Sequence, residues 1–185
     1  MNRTIVALML LGASAAAVAG QPSDKEKAMA ATAAFGKALK TELVSAMQSG
    51  GPIAAIDVCN IRAPGIAEAV SLEQGVEVSR VSLKNRNPAN APNQWQQAVL
   101  QDFEESVEMG EDAGGLSWQR TVETDQGKEY RFMNAIPAGG VCLACHGKTL
   151  APEVEAKLAE LYPEDKATGY SEGDLRGAFV VTRKL

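Results

Sequence analysis

The chain has 185 residues, with 18 basic and 23 acidic side chains, a net charge of −5 and 45% hydrophobic residues. That length suits one domain with a sizeable core. The acidic balance, with no basic patch, excludes nucleic acid as an expected partner. The chain opens "MNRTIVALMLLGASAAAVAGQPSDK": Arg3, an apolar run, then small residues at Ala17 and Ala19. The run is shorter than the ~20 residues of a membrane span. It reads as a secretory signal over residues 1–19, followed by a polar leader over 20–27 and one folded domain over 28–185. The expected location is the bacterial periplasm, with no stable membrane span after cleavage. That compartment is oxidising, so a bare pair of thiols there ends as a disulfide.

Ala28, Phe35, Leu39, Leu43 and Met47 fall at helical spacing, and "QSGGP" predicts the stop. "IAAIDVCNIRA" predicts a second, shorter helix in which Ile53, Ile56 and Cys59 share a face. Pro64 is expected to break or restart it, and "PGIAEAVSLEQ" to run as helix up to Gly75. "VEVSRVSLK" alternates as a strand does, and "NRNPANAP" is a Pro-broken loop. Trp95, Val99, Phe103 and Val107 recur every fourth residue and predict an amphipathic helix. Two β-type runs flank "TDQGKE", a hairpin turned at Gly127. Val154, Leu158 and Leu161 share a face of one more helix, and "LRGAFVVTRKL" predicts the last strand. Helices bunched early and strands late argue α+β with an antiparallel sheet, not a doubly wound parallel one. There is no internal repeat and no long linker.

The chemistry concentrates in "AGGVCLACHGK", which holds two of the three cysteines and the only histidine. Cys142, Cys145 and His146 spell C-x-x-C-H, the attachment signature of haem c. Two thiols on one turn add to the two haem vinyl groups, and the adjacent imidazole meets the iron as the proximal ligand. Three other readings use the same residues. A redox dithiol usually opens a helix after a strand, whereas this motif follows a hairpin and "IPAGG". A Cys3His zinc site would add Cys59, and adjacent Cys145 and His146 make awkward ligands for one tetrahedral ion. The third is a plain disulfide.

One histidine cannot serve both faces of an iron. The candidates for the other face are Cys59, Met29, Met47, Met109 and Met133, or an open site. Spacing alone does not choose between Cys59 and Met133. Among arginines, Arg80 on its strand is a weak candidate for a haem propionate contact, as are Arg62 and Arg86. "YPEDKATGY" either covers a haem edge or is a simple helix-exit turn. A haem peroxidase wants a second, distal histidine, and none exists, so an enzyme is not expected.

Four stretches in order carry a more specific likeness: "AIDVCNIRAPGIA", "RVSLKNRNPANAPNQW", "VCLACHGK" and "LYPEDKATGYSEGDLRGAF". Over about Ala28 to the C-terminus the chain resembles a family of exported mono-haem c proteins long known only as a domain of unknown function. The resemblance implies a PAS-like fold, an antiparallel sheet with flanking helices around one covalent haem c. It implies an unusual axial pair, His146 with Cys59. A thiolate stabilises ferric iron, so a low potential is expected, and with it low-potential electron transfer or redox or gas sensing. Loss of the Cys59 bond on reduction would open the iron to a diatomic gas. The expected partners are a redox protein of unknown identity and such a gas. The family also occurs as a sensor module of larger signalling proteins; this chain is expected to be a stand-alone version.

Overall fold

The computed structural model describes residues 21–185, and the expected signal over 1–19 lies outside the described residues. Helix α1 (Asp24–Asp57) starts earlier than Ala28, because Ser23 and Glu26 form a capping box. The Ser23 hydroxyl accepts from the Glu26 N–H at 3.2 Å, and the Glu26 carboxylate accepts from the Ser23 N–H at 2.7 Å. At the expected stop the backbone leaves the helical region at Gly51, and a second helical segment follows across a sharp kink. Gly51 sits at φ 68°, ψ −162°, and Pro52 opens the next turns, so the two expected helices run as one bent element.

Pro64 restarts the helix rather than breaking it, the second of the two expected outcomes. Residues Val58–Arg62 form a π-turn, in which the Ala63 N–H reaches back five residues to the Val58 carbonyl. Helix α2 (Ala63–Gln74) then begins with Pro64 in its first turn, where the missing N–H has no intrahelical partner to lose. Gly75, left-handed at φ 64°, ends α2.

Strands β1 (Glu77–Val81), β2 (Ser117–Thr124), β3 (Gly127–Pro137) and β4 (Leu175–Lys184) form one antiparallel sheet in the order β1-β4-β3-β2. Between them lie α3 (Gln94–Glu108), the single-turn α4 (Leu143–His146) and α5 (Pro152–Leu161). The α+β expectation holds: the sheet has four antiparallel strands and is flanked by helices.

Side chains alternate across each strand, so neighbours serve different cores. Phe132, Val78 and Val181 pack with Ala31 and Phe35 of α1 and Val70 of α2. On the opposite face Met133, Val81 and Val180 pack with Val99, Leu100 and Phe103 of α3. A third cluster joins Ile56 of α1 to Val154 and Leu158 of α5 and to Tyr162, with Cys145 at its margin.

Helix α3 is amphipathic as expected and is closed at its start by a second capping box. The Asn93 side chain accepts from the Gln96 N–H at 3.2 Å, and Gln96 returns the bond at 2.9 Å. Asn93→Ala is expected to lower stability by about 1 kcal/mol, read as a shift in the urea midpoint at unchanged slope.

Candidate functional site

A cavity of about 440 Å³ opens between α1, the π-turn, the ends of β1 and β4, and the Cys-x-x-Cys-His segment. Its volume lies in the range of small-molecule and cofactor sites, roughly 300–1,000 Å³. Cys59, Cys142, Cys145, His146 and Arg80 all line it. Each arrives for a local reason. Cys59 sits in the π-turn, where the wider backbone turn changes the side-chain direction relative to a regular helix. Cys142 closes a 3-10 turn (Gly140–Cys142), and α4 adds the one further turn that carries Cys145 and His146. Arg80 pairs with Phe179 across β1 and β4, so both share the sheet face that α1 covers.

The three cysteines are free thiols. Burial pushes the Cys145 thiol up from its ordinary value; Arg86 partly opposes this, and Cys59 and Cys142 add to the rise. Cys59 and Cys142 thus lie within electrostatic reach of Cys145 although they come from different elements.

His146 is half-buried, with Nδ1 2.6 Å from the Ala167 carbonyl oxygen. A carbonyl only accepts, so Nδ1 carries the proton and the Nε2 lone pair is left free. Burial, then Arg176 and Arg86, hold His146 well below the usual imidazole range; the Ala167 bond works the other way. The ring is therefore neutral at pH 7, the form that ligates a metal. Tyr170 stands edge-on to it at 6.3 Å between ring centroids. The backbone is tied as well. The Tyr170 N–H donates to the His146 carbonyl and the Gly169 N–H to the Gly147 carbonyl, each at 3.0 Å. Gly147 has no room for a side chain, since a Cβ would lie 2.5 Å from the Leu143 carbonyl oxygen.

"YPEDKATGY" is thus the strap that orients His146, more than a helix-exit turn. Arg86 has a different task from the one expected. It is 7% exposed, its Nε donates to Asp165 Oδ2 at 2.9 Å, and its Nη2 donates to the carbonyls of Cys145 at 2.6 Å and Ala167 at 3.2 Å. Asp165 also accepts from the Ala167 N–H at 2.8 Å. Arg86 and Asp165 therefore hold the carbonyl that holds His146. Arg62 is excluded from the cavity: it pairs with Glu42 at 3.1 Å on the surface.

The methionines separate cleanly. Met133 is fully buried in the α3-side core, so its reading as an iron ligand is corrected. Met29 and Met109 are exposed, and Met47 is the one named methionine that lines the cavity. Sequence reasoning missed Lys40 and Arg176, which both line it. The readable signal for Arg176 is a cation beside a glycine inside an otherwise apolar strand.

Among solved structures, the crystal structure of the cyanobacterial heme-protein Tll0287 matches with a TM-score of 0.67 and 24% identity. The alignment covers 89% of this chain and 97% of that one, so the two share a fold along nearly their whole length. No curated protein matches the sequence. The Tll0287-like family model matches residues 13–183, and the chain belongs to that family.

Proposed function

We propose that the cavity holds one haem c, linked through Cys142 and Cys145 and ligated by His146 and Cys59, and that the protein serves low-potential electron transfer or redox or gas sensing in the periplasm rather than catalysis. The observation that carries this reading is the meeting of Cys59, Cys142, Cys145 and His146 on one cavity. The solved relative is itself described as a heme-protein.

The donor set fits the group. Cys142 and Cys145 would hold the group as thioethers, each S–H adding across a vinyl C=C with the sulfur on one carbon and the hydrogen on the other, so that no oxidant would be needed. The free Nε2 of His146 is a proximal ligand already in its neutral form. Cys59 supplies a soft anionic donor from a separate element. Zinc fits less well. Its bonds run about 2.0–2.3 Å, and among the described residues no three His, Cys, Asp or Glu side chains cluster to hold one ion. The bound group would supply an iron that changes oxidation state by one electron. The protein's part is to present the ligands and to keep the ring in an apolar wall. A peroxidase reading lacks a distal imidazole, because His146 is the only histidine.

Expression with a cytochrome c maturation system should yield a covalent pigment with a c-type α-band in pyridine haemochrome. Absence of that band rejects the proposal. Cys59→Ala should alter the ferric Soret band and abolish a low-spin thiolate EPR signal; an unchanged ferric spectrum removes Cys59 from the iron. Reduction under CO divides the two uses. CO binding to the wild type on reduction supports sensing, and a six-coordinate state inert to CO supports electron transfer.

A further inference from the structure

The cavity wall is electrically one-sided. It is lined by Lys40, Arg80, Arg86 and Arg176 and by no Asp or Glu, in a chain with 23 acidic residues. Among the described residues only Arg86 of these four has a carboxylate partner, Asp165 at 2.9 Å. Among the described residues Lys40, Arg80 and Arg176 take part in no salt bridge. Arg176 donates from Nη1 to Ser82 Oγ at 3.0 Å and to the Lys84 carbonyl at 3.3 Å, and its guanidinium lies 5.3 Å over the Tyr170 ring. None of these neighbours is a carboxylate; burial lowers its pKa from the usual arginine value, and Tyr170 partly opposes this.

The three cations come to one corner. Arg80 faces the side of Phe179, its cross-strand partner. The Phe179 ring lies 3.3 Å from where a Cβ on Gly36 would be, and Lys40 is one turn along α1 from Gly36. Arg176 precedes Phe179 on β4. Arg80 and Arg176 are half-buried and Lys40 stands exposed beside them; half-burying two guanidinium groups without counter-charge is unfavourable, so this corner favours an anion.

We infer that the Lys40–Arg80–Arg176 corner is a carboxylate-binding site that takes the two carboxylates of the porphyrin edge and so sets which way round the macrocycle enters. This rests on the haem reading. Guanidinium forks match carboxylates with two parallel hydrogen bonds, which fixes orientation as well as position. With that edge held, the vinyl-bearing part of the ring is left to face Cys142 and Cys145. The corner thereby acts before the covalent links form.

The test uses the full chain carrying Cys142→Ala and Cys145→Ala, titrated with haemin and with haemin dimethyl ester by Soret absorbance. The diacid should bind roughly 10- to 100-fold tighter than the diester. Arg80→Gln, at a residue whose side chain makes no hydrogen bond among the described residues, should remove most of that preference, and Arg176→Lys should reduce it. Equal binding of diacid and diester, or a preference untouched by Arg80→Gln, overturns the carboxylate site while leaving the haem reading in place. Binding of neither porphyrin counts against the haem reading itself. In the intact holoprotein Arg80→Gln should also move the midpoint potential to a more negative value, because a cation beside the reducible centre is lost. A potential equal to wild type overturns the proposal there, which covers the case of a thiol-free chain that does not fold.

Discussion

Arg86→Ala is expected to lower stability by about 3–5 kcal/mol, the usual effect of breaking a buried ion pair from one side. The side chains of Arg86 and Asp165 are 8% and 13% exposed, so water screens the pair little. The substitution strands the Asp165 carboxylate and removes the donor to the Cys145 and Ala167 carbonyls. Arg86→Lys keeps the charge but cannot reach three acceptors with one compact ammonium, so it should recover only part of the loss. Asp165→Asn should be milder, because its side-chain oxygen still accepts from the Ala167 N–H. Urea unfolding measures the series, and Arg86→Ala within about 1 kcal/mol of wild type would sink the clamp. A readout specific to the site accompanies it. The Ala167 carbonyl is the His146 partner, so ligand-field bands of the haem form should shift in Arg86→Lys even where stability recovers.

Gly177→Ala is expected to be nearly as damaging as Gly177→Val, an outcome that separates backbone fit from side-chain size. Gly177 sits at φ 154°, and a Cβ there would overlap the Val81 carbonyl and lie 3.1 Å from the Ser82 Cβ. Both neighbours belong to β1 or its direct continuation, and β1 pairs with β4 along its full length. Relief would require opening that pairing beside Arg80 and Arg176. Strain of ~1–3 kcal/mol from the backbone and ~1–3 kcal/mol from overpacking apply together. The melting temperature should therefore drop by at least about 4 °C. A Gly177→Ala variant that melts with the wild type contradicts this close approach.

Periodic segments were legible because their pattern is a local consequence of burial. The four-residue spacing from Trp95 to Val107 becomes α3, the alternation around "TDQGKE" becomes the β2–β3 hairpin, and Gly75 ends α2 in the left-handed conformation. From "QSGG" to Pro64 the expected stop and restart are both present, and what the pattern did not show is how closely the segments join. Gly51 and Pro64 are punctuation in an isolated helix, but packing of Ile56 against Val154 and Leu158 holds the chain through both. The helix absorbs the misfit as a kink at Gly51 and a π-turn at Val58–Arg62. The second of these carries Cys59.

Cys142, Cys145 and His146 are neighbours along the chain, so one turn of backbone joins them whatever the rest of the fold does. Their chemistry could be named from the sequence. Met133 could not be judged that way, because a one-residue change of strand parity decides between cavity and core, and its neighbours put it in the α3-side core. Arg86 reads as a surface cation in a Pro-rich loop until Asp165 and two carbonyls close around it. Lys40, Arg80 and Arg176 stand on three elements, and only the pairing of β1 with β4 beneath α1 brings them to one corner. The sequence by itself determined the thiol pair and its histidine, because those contacts are local. The tertiary structure decided what faces them, because contacts between distant segments exist only once the sheet has aligned its strands and the helices have covered it.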